Sequence, residues 1–168
     1  IIGTMLMKDP VFPVPSVLIE KACSFNDYDC GHEFDLDGGI LIKTGQLNHP
    51  NGACGYRIEF EGKIIAICTD TEHYEGRIDD NVVALAKDAD VMVYDAAYTE
   101  ESYPNFKAWG HSTWQEAIKV ADAANVKQTF LFHHDPSHSD VVMDKIAKEV
   151  ALIRGGVRPA IEGETVVI

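Results

Sequence analysis

The chain changes rhythm at Thr69-Asp70-Thr71, and that change limits what it can fold into more than any other feature of the sequence. Before it, short apolar runs alternate with Asp, Asn and Gly punctuation: Ala22 to Tyr28, His32 to Leu36, Ile40 to Leu47, Gly55 to Phe60 and Lys63 to Thr69. Runs of this length predict strands, and Glu61-Gly62 between the last two predicts an antiparallel hairpin. After it, helical and strand periodicities alternate. Ile78 to Lys87 suits a short helix and Val91 to Tyr94 a buried strand. Ser112 to Ala124 reads as a helix capped by Ser112 or Thr113, with Gln115 and Glu116 in capping-box spacing. Lys127 to Phe132 predicts a strand, Ser139 to Arg154 an amphipathic helix ended by Gly155-Gly156, and Val157 to Ile168 a closing hairpin. A β-rich half followed by an αβ-alternating half predicts an α/β fold whose sheets carry helices on their outer faces.

The 168 residues, 46% of them hydrophobic, are enough for one core, so a single domain is expected. Ile1 to Ser16 is rich in proline and apolar side chains and reads as an extended segment lying on a surface. Lys8, Asp9, Pro10, Pro13 and Pro15 break it up, which excludes a signal peptide or a membrane helix there and points to the cytoplasm. Twenty-seven acidic against 14 basic side chains give a net charge of -13, which argues against nonspecific nucleic-acid binding and against anionic membranes. Any phosphate ester would have to be received by bound cations. Cys23, Cys30, Cys54 and Cys68 show no CxxC spacing, so reduced, partly buried thiols are expected. No internal repeat or low-complexity linker is present.

Three polar motifs end predicted strands, where side chains project from a rigid scaffold into loops. They are His49 in Asn48-His49-Pro50, Asp70 in Thr69-Asp70-Thr71, and His133 in Phe132-His133-His134-Asp135-Pro136. Singly, a loop histidine, a turn aspartate and a core histidine would explain them; their joint placement at strand ends is what those readings do not predict. Imidazole and carboxylate are ligands for Zn²⁺, Mn²⁺ or Fe, and a carboxylate has two oxygens with which to bridge two ions. His134 and His138 have i, i+4 spacing, but Pro136 between them breaks a continuous helix, so they read as supporting or surface residues. His73 reads as a substrate contact or a solvated loop residue, Asp95 as a carboxylate that could orient a ligand histidine, and Trp109 and Trp114 as packing for the loop around His111, with stacking of one of them on a substrate base as the alternative.

The succession His49-Pro50, Gly55-Tyr56-Arg57-Ile58-Glu59, Thr69-Asp70-Thr71, Trp109-Gly110-His111-Ser112-Thr113-Trp114 and Leu131-Phe132-His133-His134-Asp135-Pro136 resembles the phosphodiesterase-like branch of the metallo-β-lactamase superfamily, which includes ribonuclease Z and bacterial cyclic-nucleotide phosphodiesterases. The resemblance runs from about Phe12 to Ile168. It implies an αββα sandwich, with His49 and His133 as metal ligands, Asp70 as the bridging ligand and His111 as a proton donor. It also implies two divalent ions, zinc first and Mn or Fe as alternatives, and hydrolysis of a small-molecule or nucleotide phosphodiester. A thioester or lactone hydrolase is the alternative within the fold, and a noncatalytic interaction domain the alternative outside enzymes; a homo-oligomer is a further expectation.

The family's HxHxDH motif is absent from these 168 residues. Each ion would then have two protein ligands where catalytic zinc usually has three, so weak occupancy is expected. Together with a first residue that is Ile1 rather than Met, this favours a sandwich incomplete at its N-terminus, the C-terminal portion of a longer hydrolase.

Overall fold

The computed structural model describes residues 21–168. They form one seven-stranded sheet in which order in space equals order in the chain: β1 (Glu33–Leu36), β2 (Ile40–Leu47), β3 (Ala53–Phe60), β4 (Lys63–Cys68), β5 (Val91–Asp95), β6 (Gln128–Phe132) and β7 (Val157–Pro159). β1 to β4 pair antiparallel and β4 to β7 parallel. The predicted change of rhythm is therefore the change of sheet type, because parallel neighbours need a crossover and antiparallel ones only a turn. The crossovers carry α1 (Asp80–Ala86), α2 (Trp114–Ala123) and α3 (Asp140–Ile153). Among the described residues no helix is long and apolar enough to cross a membrane.

Strand alternation decides where the core sits. Ala66, Met92 and Thr129 are in register on one face, with Cys68, Tyr94 and Leu131 two residues along. All six are buried, and the apolar ones belong to the core cluster shared with Val82 and Leu85 of α1, Ala117, Val120 and Ala121 of α2, and Ile146 and Val150 of α3. The opposite face is apolar as well: Ile42, Ile58 and Ile65 are in register, as are Tyr56, Ile67, Val93 and Phe130. Most of these are only half-buried. Val91, Val93, Phe130, Phe132, Ile161 and Val166 line a shallow trough of about 350 Å³ on this side. Among the described residues the sheet therefore carries helices on one side and an apolar face on the other.

Three expectations are corrected. Residues 23–29 form no strand; they are exposed, and the acids at Asp27 and Asp29 leave no apolar alternation to bury against β1. The closing hairpin does not form: β7 ends at Pro159, which has no amide hydrogen to extend a ladder, and 160–168 follow without strand pairing. Finally, Cys30 and Cys54 are disulfide-bonded, with Cα atoms 5.8 Å apart, because the turn before β1 lies over the start of β3; Cys23 and Cys68 are free. The reading of Ile1 to Ser16 as an extended segment lies outside the described residues.

Candidate active site

The site forms where β2, β4, β5 and β6 end. β4 stops at Cys68 and the chain turns at Asp70 with φ 59°, while β6 stops at Phe132 and turns at His133 with φ 60°. Two non-glycine residues in the left-handed region, at the ends of the strands flanking β5, store backbone strain where their side chains are aimed. His49 follows β2 and His111 precedes the Thr113 cap of α2, whose side chain accepts a hydrogen bond from the Glu116 amide.

These residues converge. One ligand atom each of His49, Asp70 and His111 lies within 4.8 Å of the others, and the same holds for Asp95, His111 and His133. Asp70 Oδ1 is 3.8 Å from His133 Nδ1, which puts Asp70 between the two groups. That separation is too long for a hydrogen bond. It is near the ~3.4 Å expected between nitrogen and oxygen that each bond one tetrahedral cation at about 2 Å. Among the described residues the Asp70 carboxylate has no hydrogen-bond partner, and the His49 ring spends Nδ1 on the Asn51 amide at 3.3 Å. His49 and Asp70 thus converge with His111, while His133 falls in the other group with Asp95 and His111 and approaches Asp70 at 3.8 Å; imidazole nitrogens and a carboxylate are the donors a divalent cation takes.

Asp95, whose carboxylate could orient a ligand histidine, instead orients His111. It is wholly buried; Oδ2 accepts from His111 Nδ1 at 2.9 Å and from the Asp70 amide at 3.0 Å, and Oδ1 accepts from the amides of Ser112 at 3.1 Å and Ala97 at 3.3 Å. A carboxylate so fully used has little left for a metal, and since it can only accept, His111 Nδ1 must donate to it. The hydrogen bond that His111 donates to Asp95 raises the His111 pKa above the ordinary histidine range, against the opposing effect of burial. His73 packs inward, with Nδ1 3.0 Å from Ser112 Oγ and its ring 4.3 Å from that of Tyr103. His134 and His138 are half-buried and belong to neither convergent group. Trp114 is buried as expected, whereas Trp109 is 62% exposed and only rests edge-on against Phe106.

Sequence reasoning missed Glu72. It is buried behind Asp70, where Oε1 accepts from the Tyr103 hydroxyl at 2.6 Å and the Ala108 amide at 2.8 Å, and Oε2 from the Gly110 amide at 3.0 Å. Burial pushes its carboxyl upward, but these donors outweigh that and hold it below the ordinary carboxylate range. The signal available in the sequence was an acid two residues after Asp70, which on its own reads as a solvated loop residue.

A family model described as "Beta-lactamase superfamily domain" matches residues 11–134. The ribonuclease Z of a Cyanothece species is 33% identical over 126 residues, covering 73% of this chain and 35% of that protein. The chain spans about a third of the length of the curated relatives it matches. Among solved structures, the metallo-beta-lactamase fold protein YhfI of Bacillus subtilis superimposes with a TM-score of 0.67 at 18% identity, over 82% of this chain and 53% of that one. Human tRNase Z, short form, gives 0.52 at 27% identity, over 61% of this chain and 38% of its own.

Proposed function

The chain belongs to the metallo-β-lactamase superfamily, in its ribonuclease Z-like branch, and from that we propose that it supplies part of a divalent-metal site that hydrolyses phosphodiesters. In this reading residues 1–168 are one domain, the C-terminal portion of the sandwich; His49, Asp70 and His133 hold metal, with Asp70 bridging, and His111 gives a proton to the leaving oxygen. One observation carries it: the Asp70 carboxylate, with no hydrogen-bond partner among the described residues, stands within ligand distance of histidines from two other strand ends.

A pair of divalent ions at such a site would supply a hydroxide and neutralise the phosphoryl oxygens. The chain's own residues do the rest. Asp95 fixes the ring of His111 by taking Nδ1–H, so the other nitrogen is the one left to transfer a proton. Exposed Trp109, two residues before His111, offers a flat face on which a nucleobase could stack. The ribonuclease Z names of the relatives support a phosphodiester in a nucleotide or nucleic acid, and the net charge of -13 concentrates recognition of that anion at the metal edge.

The test is calorimetric titration of the chain with Zn²⁺ and Mn²⁺. The expected result is saturable binding that weakens at least ~10-fold in His49→Ala and in Asp70→Asn, the second chosen because asparagine tolerates the left-handed backbone at this position. Absence of binding in the unsubstituted chain under saturating metal would leave the noncatalytic interaction domain as the better reading. In the longer, metal-loaded hydrolase of which this chain would be the C-terminal portion, turnover of bis(p-nitrophenyl) phosphate or a cyclic nucleotide, and not of a thioester or lactone, is expected.

A further inference from the structure

Three segments bring His49, Asp70 and His111 together, and Glu72 touches all three. Its backbone pairs with the residue before His49: the Glu72 amide donates to Asn48 O at 2.8 Å, and Asn48 Nδ2 donates back to Glu72 O at 2.9 Å. It follows Asp70 by two residues. Its carboxylate gathers the amides of Ala108 and Gly110, immediately before His111, together with the Tyr103 hydroxyl. The loop it grips is left-handed at two positions, strained at Ala108 with φ 66° and relaxed at Gly110 with φ 91°. The amides of such a left-handed stretch form an anion-binding concavity, here filled by a carboxylate of the same chain.

The grip has a consequence in the site. It draws Gly110 onto His49 so closely that a Cβ on Gly110 would fall 2.2 Å from His49 Cδ2 and 2.6 Å from Nε2. Pro50 Cδ would lie 2.9 Å from the same Cβ, so His49 and Pro50 both pack against Gly110, and the His49 ring centre stands 5.9 Å from that of His111.

Resting on the metal-site reading, we propose that Glu72 is a positioning residue that sets the spacing of His49 and His111 about Asp70 and so preorganises the site for a divalent cation. A carboxylate is required. It meets donors at both oxygens, whereas a glutamine of the same shape has one acceptor and must turn its NH₂ toward either the Gly110 amide or the Tyr103 and Ala108 donors.

The experiment is Glu72→Gln in the whole chain, read by Zn²⁺ affinity and by NMR of the Gly110–His49 contact and of the Gly110 amide's hydrogen exchange. The expected result is a Zn²⁺ Kd raised roughly 10- to 100-fold, loss of the Gly110–His49 cross-peaks and faster Gly110 exchange. Tyr103→Phe, which removes one donor and leaves both amides engaged, should move the Kd much less. A Glu72→Gln chain that melts earlier but keeps its Kd within twofold and its Gly110–His49 contact would overturn the proposal. If the unsubstituted chain binds no metal, the metal-site reading falls, and the cross-peaks alone decide the clamp: their loss in Glu72→Gln upholds it and their persistence refutes it.

Discussion

Cys68 and Cys23 carry the same thiol into opposite surroundings. Cys68 ends β4 with no exposed surface, and burial, reinforced by the nearby Asp79 carboxylate, pushes its thiol up to about 12, while Cys23 is exposed. Only thiolate alkylates, so iodoacetamide at pH 8 should label Cys23 alone in the folded chain, with Cys68 appearing only after unfolding and Cys30 and Cys54 only after reduction. Mass spectrometry of the labelled peptides reads this directly, and fast labelling of Cys68 in the native chain would contradict the packing described. The same contrast explains what was legible residue by residue. His49, Asp70, His111 and His133 could be picked out because they end apolar runs in a recognisable order. Glu72 could not, because its partners are backbone amides more than thirty residues along the chain, and amides carry no letter in a sequence. Nor could the Cys30 to Cys54 pairing, which depends on how the turn before β1 lies over β3.

At the scale of elements, α1 shows how little of a short helix belongs to the helix. Seven residues are too few to persist alone, so contacts with the sheet must hold α1. Leu85 fills a hollow left by glycines in adjacent strands: Cβ atoms added at Gly45 and Gly55 would come within 3.1 and 2.7 Å of its Cδ1. Arg57 of β3 reaches across to the helix end, Nη1 donating to Leu85 O at 3.0 Å and Lys87 O at 2.6 Å, while Nε is held by Glu59 at 2.7 Å. Leu85→Ala is expected to cost about 2–5 kcal/mol and Arg57→Met about 1–3 kcal/mol in urea unfolding, with the denaturant slope unchanged. Smaller losses would mean that α1 is anchored elsewhere. The helices were legible because period and caps agree, and α2 begins after Thr113 as the capping-box spacing implies. The two failed elements, 22–28 and the closing hairpin, lie beside the edge strands β1 and β7, where acids at Asp27 and Asp29 and the missing amide hydrogen of Pro159 leave little to extend the sheet.

For the whole molecule, the main fact is a sheet that is apolar on both faces and clad by the described helices on one. Phe60, Phe132 and Ile161 are 42%, 47% and 67% exposed, alongside the half-buried Ile42, Ile58, Ile67 and Val93. Contiguous apolar surface of this kind drives association. Sedimentation velocity should therefore show concentration-dependent self-association of the isolated chain, and Ile58→Lys should shift it toward monomer while leaving the helix-side core intact. A chain that stays monomeric at high concentration without the substitution would show this face to be covered. The α/β class was readable from the change in periodicity; that the described helices all lie on one side of the sheet was not, since strands destined for burial on both faces look alike whichever neighbour covers them.

The identity between strand order and chain order bears on how such a sheet comes into being. Each strand finds its partner next in line, so assembly can proceed by accretion, every newly exposed edge templating the strand that follows. The longest excursion the chain must close between partners runs from Asp95 to Gln128, and closure entropy grows only slowly with length. Among the described strands, none emerging from a ribosome in this order has to be held in reserve for a partner later than the next one made.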